Sequence, residues 1–300
     1  MEVTSRVSRN GCVPNARTPV AVAEIQQAAV PWDAYDVPPV TTWESLKSAL
    51  NELPTQIFWW WNAEGALDGW VSSQSYRPNC AGFAMSNAAR ALTINQIHCK
   101  HSEQKIPVIN PMPCWQKSKG GSTFGGQSIA AMAQAGNEYG NYLAEDVGAY
   151  DPKVTFPTTT EAADLRAKEH QIGICLYDGR DPVEAILETC RKGLSCFVGN
   201  SVAVKGTKQD DRGVYVADLG GTWSHATAFC GWTKVDGCQY VYWINSHGNI
   251  YQTPDGTPDF GCWMSVPVLR KFMGGVFADL CIVTYAEAEH DPAIIPAMEV

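Results

Sequence analysis

The chain changes its pattern near residue 195. Upstream, apolar residues recur at helical spacing. Downstream, short β-branched and aromatic runs alternate with turn dipeptides. SCFVGNSVAVKG, GVYVADL, HATAFCGW, YVYWIN, NIYQ, CWMSV and ADLCIVTY read as strands. Turns at Asp211–Gly213, Asp236–Gly237 and Asp255–Gly256 separate several of them. Helices first and antiparallel strands last define an α+β layout, with a helical lobe over about 75–192 and a β lobe over about 195–285.

The strongest helical segment is CAGFAMSNAARALTINQIHCKH, residues 80–101. It is apolar on nearly every side, which predicts a buried helix. Pro78 and Asn79 set its start, with Asn79 as N-cap. The loop KGGSTFGG, around Gly120–Gly126, leads into a second helix, QSIAAMAQAGNEYGNYL. Residues 150–170 read as loop and a short helix. Asp181 caps a helix running to Lys192, with Pro182 in its first position. Residues 55–75 are aromatic-rich and read as packing along a domain face, Trp59–Trp60–Trp61 included. Residues 1–53 form an extension broken by prolines, with a helix over Thr42–Leu53. It reads as a surface arm, or as a docking arm or intramolecular inhibitor. Residues 54–290 form the domain and 291–300 a tail.

Charge and cysteine usage narrow the function classes. Lys+Arg number 22 and Asp+Glu 31, a net charge of −9. That argues against a nucleic-acid binder, which needs a basic face. No run of 18 apolar residues crosses a membrane. Met1–Asn15 lacks the apolar stretch of a secretory signal, so a cytoplasmic location is expected. Eleven cysteines occur without a CxxC pair, so no zinc site is expected and the thiols read as reduced. Under oxidation Cys190 and Cys196, or Cys230 and Cys238, could bridge. His98 and His101 read as a helix end rather than a metal pair. No cofactor motif is present.

Cys80 is the cysteine whose local sequence predicts reactivity. A thiol where a Pro–Asn turn enters a helix meets unpaired N–H groups and the positive end of the dipole, and both favour thiolate. His225 heads an apolar strand after a glycine turn. Asn245 ends the strand YVYWIN, where an amide can orient an imidazole. Gln74, in the loop before Cys80, can offer an N–H to an oxyanion. Thiolate, imidazole, orienting amide and oxyanion donor are the parts of thiol acyl transfer.

In this order, and within QIFWWWNAEGALDGWVSSQSYRPNCAGFAMSNA, GGQSIAAMAQAGNEYG, SHATAFCGW, WINSHGNIY and FGCWMSV…ADLCIVTY, these residues resemble the papain-like cysteine peptidases, compact bacterial and phage-type members especially. The resemblance covers about 55–285. His225 follows Cys80 by 145 residues and Asn245 by 165, against about 130–150 for the family's pair. It implies a two-lobe fold with a cleft between the lobes. Cys80 would be the nucleophile and His225 its acid/base partner. Asn245 would orient His225 and Gln74 would bind the oxyanion. Gly125, Gly126 and Ser224 would contact a peptide or protein substrate. Metal and cofactor are not implied.

Four departures bear on activity. Arg77 stands where the family has a half-cystine, so that disulfide cannot form. Pro78 replaces a glycine, Ala81 a tryptophan, and His247 the tryptophan that shields the Asn–His hydrogen bond. Two other readings stand beside the active peptidase. One is a structural or binding protein on a peptidase fold, for instance a virion component docking a partner through residues 1–53. The other is a cell-wall endopeptidase or another thiol acyl-transferase.

Overall fold

The computed structural model describes residues 12–13, 70, 73–99, 106–122, 125–153, 159–177, 181–191, 193–248, 250–252, 258–275 and 279–286. The expected Thr42–Leu53 helix, Trp59–Trp61 and the Asp255–Gly256 turn lie outside them, as do the side chains of His98 and Cys99.

Helix α1 spans Cys80–Cys99 and is buried from Cys80 to Asn95. Its small residues Ala84, Ala88 and Ala91 let it sit close against a sheet, while Phe83, Met85 and Leu92 fill the space around it. Burying each such large side chain is worth about 1.5–3 kcal/mol. Asn95 Nδ2 donates to the Gly193 carbonyl (3.0 Å), and the Ser195 hydroxyl donates to the Ala88 carbonyl (2.6 Å). From the aromatic-rich stretch, Trp70 stacks on Phe260 and donates to Asn87 Oδ1.

Around α1 lie short helices: α2 (Met112–Lys117), α3 (Ile129–Tyr139), α4 (Ala144–Val147), α5 (Glu161–Glu169) and α6 (Pro182–Arg191). Ser128 caps α3, Thr160 caps α5, and Asp181 accepts the N–H groups of Val183 and Glu184 at the start of α6. Helix α3 begins two residues later than the sequence pattern suggests. Gln127–Ser128 forms strand β2, paired in parallel with β1 (Cys12–Val13). Gly140, at φ 73°, ends α3 four residues before the expected limit.

Among the described residues the sheet has six strands, in the order β3 (Ile172–Tyr177), β10 (Asp279–Ala286), β4 (Ser195–Gln209), β5 (Tyr215–Val235), β6 (Cys238–Ile244) and β9 (Gly261–Ser265). Neighbours in that order run antiparallel, and a parallel bridge of Val216 to Trp263 curls the far edge back onto β5. The mixed helical and antiparallel content is the α+β class expected. Two features depart from the sequence reading. GVYVADL and HATAFCGW are one strand, bent through Gly220 and Gly221 where the register with β4 shifts. Strand β3, from within the helical portion, joins the sheet beside the final strand. The sequence reading also leaves α7 (Val266–Met273) unassigned. The Asp236–Gly237 turn holds both residues at positive φ, 44° and 79°, the two-residue hairpin geometry that matches strand twist. A separate pair, β7 (Tyr251–Gln252) and β8 (Pro258–Asp259), follows β6.

Candidate active site

The start of α1, the middle of β5 and the loop after β6 converge. Asn79 occupies the N-cap position, and its carbonyl accepts Phe83 N–H. Its side chain does not cap the helix. The amide nitrogen lies beside Met112 Sδ and Oδ1 has no hydrogen-bond partner. This corrects the expected capping role and has a consequence: the first helical N–H groups remain available to another acceptor. The Cys80 sulfur takes that place, approached by the backbone N–H groups of Ala226, Ala81 and Cys80 itself. Ala226 follows His225 on β5, so the thiol lies against the strand that carries the imidazole.

The amide of Asn245 is fully engaged, and its orientation follows from its partners. Ser246 N–H can only donate, and it meets Oδ1 at 2.8 Å. His225 Nε2 meets the same oxygen at 2.7 Å, so Nε2 carries the proton. Asn245 Nδ2 donates to the Tyr251 hydroxyl (2.7 Å) and to His247 Nδ1 (3.3 Å). His225 therefore has its Nδ1 as the basic nitrogen, and that atom has no hydrogen-bond partner.

Gln74 is buried and tied to the same loop. Its N–H donates to the Ser246 carbonyl (2.8 Å), its Oε1 accepts the Ser246 hydroxyl (2.5 Å), and its Nε2 donates to the Arg77 carbonyl (2.7 Å). An amide nitrogen has two hydrogens, so one N–H is fixed by Arg77 and the other is left to aim. Ser73 bridges His247 in antiparallel fashion, and Ser75 sits at φ 56°, an uncommon conformation for a residue with a side chain.

An aromatic cluster packs on the imidazole. His247 stacks on His225 with centroids 4.4 Å apart and planes 26° from parallel. Trp223 lies 4.7 Å from His225 and donates Nε1–H to Asn200 Oδ1. Ser224 lies between Trp223 and His225, where the register of β5 against β4 shifts. Gly125, at φ 70°, and Gly126 precede β2, and Lys119 Nζ donates to the Gly125 carbonyl (2.7 Å).

Burial sets the protonation states. Cys80 and His225 are both fully buried. Desolvation pushes the Cys80 thiol up to about 12, against the opposing pull of the three N–H groups. Desolvation first, then the neighbouring His247, lowers His225 to about 3, although the Asn245 hydrogen bond favours its charged form. His247 is also lowered by burial. As described, the site holds a neutral thiol beside a neutral imidazole. Among the described residues, no group of three His, Cys, Asp or Glu side chains is placed to hold a metal.

Sequence reading did not find Trp223, Ser246 or Tyr251. Trp223 had a signal, lying two residues before His225 on a strand and hence on its face. Tyr251 had none, because the loop that returns it to Asn245 has no periodic pattern.

No family model and no curated protein matches the chain. Solved structures do share its fold. Xylellain, a cysteine protease from Xylella fastidiosa, superposes with a TM-score of 0.53 at 13% identity, over 94% of this chain and 98% of that one. The cysteine protease and lectin-like domains of Cwp84, a surface layer associated protein of Clostridium difficile, give 0.54 at 11% identity, over 96% of this chain and 58% of that one. The proform of Amb a 11, a cysteine protease and ragweed pollen allergen, gives 0.51 at 14%, over 91% and 76%. The chain thus has the fold of the papain-like cysteine proteases.

Proposed function

We propose that the protein is a cysteine peptidase that hydrolyses peptide bonds through an acyl-enzyme on Cys80. The observation that carries this is the tautomer of His225. Asn245 holds Nε2–H, which leaves Nδ1 as the base on the strand that packs on the thiol. In this reading the lobes over 75–192 and 195–285 meet in a cleft with Cys80 at its floor. Cys80 Sγ–H gives its proton to His225 Nδ1, and the thiolate attacks the scissile carbonyl. The oxyanion accepts Cys80 N–H and the second Nε2–H of Gln74. His225 then protonates the leaving amine, and water attacks the thioester with His225 as base. Gly125, Gly126 and Ser224 pair with the extended peptide. The protein and xylellain share a cysteine protease fold nearly end to end, which supports the peptidase class.

One observation favours a second reading, a binding protein on the same fold. Cys80 has no exposed surface, and burial keeps both members of the pair neutral. A covalent epoxide inhibitor of papain-type thiols with intact mass spectrometry decides between them. One adduct, mapped to Cys80 and absent from Cys80→Ala, supports the peptidase. A folded protein that takes no adduct supports the binding protein.

A further inference from the structure

We propose that His247 is a positioning residue that sets the acid limit of the Cys80–His225 pair: protonated, it gives up its hydrogen bond from Asn245 and blocks transfer of the Cys80 proton to His225. The inference rests on the peptidase reading above and adds a control to that site.

Three geometric facts carry it. First, the two imidazoles are stacked 4.4 Å apart, close enough that two cations there would repel strongly in a site with little water. Second, His247 Nδ1 faces Asn245 Nδ2 at 3.3 Å. The amide orientation is fixed by Ser246 N–H, so Nδ2 donates and neutral His247 carries its proton on Nε2. A proton on Nδ1 would set two donors against each other. Third, the backbone of His247 bridges Ser73 and its ring meets Trp223 edge-on, with centroids 5.8 Å apart.

Among the described residues, the titratable groups around it are His225 on β5, Cys80 at the start of α1 and, through Asn245, Tyr251 on β7. Among the described residues, no carboxylate acts on His247 to hold its proton, and burial alone shifts it. The step conserves protons. His247 Nδ1 takes one from solvent, and the Cys80 proton, which reaction requires to pass to His225 Nδ1, stays on sulfur. The product is a neutral thiol, a neutral His225 and a cationic His247. A tryptophan or phenylalanine at this position could shield the Asn–His bond but could not perform the step.

The test is the pH dependence of Cys80 alkylation by iodoacetamide on the full chain, read by peptide mass spectrometry from pH 4.5 to 8.5. Wild type is compared with His247→Phe, which keeps the stacked ring, and His247→Gln, which keeps an acceptor for Asn245. From pH 7.5 to 4.5 the wild-type rate should fall about tenfold and both variants less than about threefold, their acid limbs displaced downward by about one pH unit. The His247 ring signals in the wild-type NMR titration should move with the wild-type limb. A limb unchanged in both variants, or displaced in His247→Phe alone, overturns the proposal and leaves the peptidase reading standing. Should Cys80 react no faster than the other thiols at any pH, in any of the three proteins, both readings fall together.

Discussion

The Ser246 hydroxyl donates to Gln74 Oε1 at 2.5 Å, across 172 positions of sequence. Ser246 also donates its N–H to Asn245 Oδ1. One small residue thereby orients both the amide that holds the imidazole and the amide proposed to meet the oxyanion. Ser246→Ala would leave Gln74 Oε1 buried without its donor, at a cost of about 1–3 kcal/mol in stability. It should also lower kcat about tenfold with KM little changed, since the Gln74 contact is made in the transition state. Steady-state kinetics on a peptide substrate, with a urea titration of both proteins, checks both numbers. An unaltered kcat would remove Gln74 from the oxyanion role.

Tyr251→Phe removes the 2.7 Å acceptor of Asn245 Nδ2 but keeps the ring against Trp243, which it meets edge-on at 5.3 Å. We expect a loss of about 1–3 kcal/mol. The downfield Nε2–H signal of His225 should exchange faster with water, because its acceptor amide is less firmly held. An unchanged exchange rate would show that Ser246 alone suffices to fix Asn245.

Stability should plateau between pH 6.5 and 9. His225 is lowered from 6.5 to about 3, so within that window the unfolded chain binds a proton the folded chain refuses. Stability is therefore lost as pH falls from 6.5 towards 3. Cys80 is raised from 9.0 to about 12, so the folded chain keeps a proton the unfolded chain releases. Its contribution is intact below pH 9 and lost as pH rises towards 12. Each effect amounts to a few kcal/mol, at about 1.4 kcal/mol per pH unit. Urea titrations at pH 4, 7.5 and 10 on wild type, His225→Gln and Cys80→Ser measure them. The first variant should flatten the acid side and the second the alkaline side.

Two glycines with the same backbone sign should respond differently to alanine. At Gly140 (φ 73°) a Cβ would lie 2.0 Å from the Ala167 carbonyl oxygen, a backbone atom fixed in α5. At Gly148 (φ 83°) a Cβ would meet nothing within 4 Å. Gly148→Ala should cost about 1–3 kcal/mol, the conformational penalty alone, since φ 83° with ψ 157° is a region open essentially to glycine. Gly140→Ala should cost about 3 kcal/mol or more, because steric overlap is added. Thermal melts of both variants test the difference, and equal shifts would mean that α5 moves freely away from α3.

The α+β class was legible because the two periodicities are segregated along the chain. The buried α1 showed itself through apolar residues on every side, and Asp181 and Pro182 through end signals that are local. Cys80, His225, Asn245 and Gln74 stood out by their order and local sequence, and the structure gathers the elements that carry them. Strand β3 was not legible: IGICLY is short, and what makes it a strand is the last strand of the sheet, more than a hundred residues later. The joined strand β5 was hidden by Gly220 and Gly221, which locally signal a turn and in context form a bend. The Asn79 amide was misread because a cap is normally the best local use of that side chain, whereas here it lies beside Met112.

Strand β10 lies between β3 and β4, inside the sheet rather than at its edge. Among the described residues, β3 pairs with Asp279–Ala286 alone, so until that strand is in place the described helical portion meets the other strands through α1 and its neighbours. During synthesis the chain must hold these parts, unpaired edges exposed, until residue 286 has left the ribosome. Such long-range closure makes for slow folding and a dependence on whatever protects nascent chains. A stop codon anywhere before position 279 should therefore abolish the fold as a whole and not merely trim it.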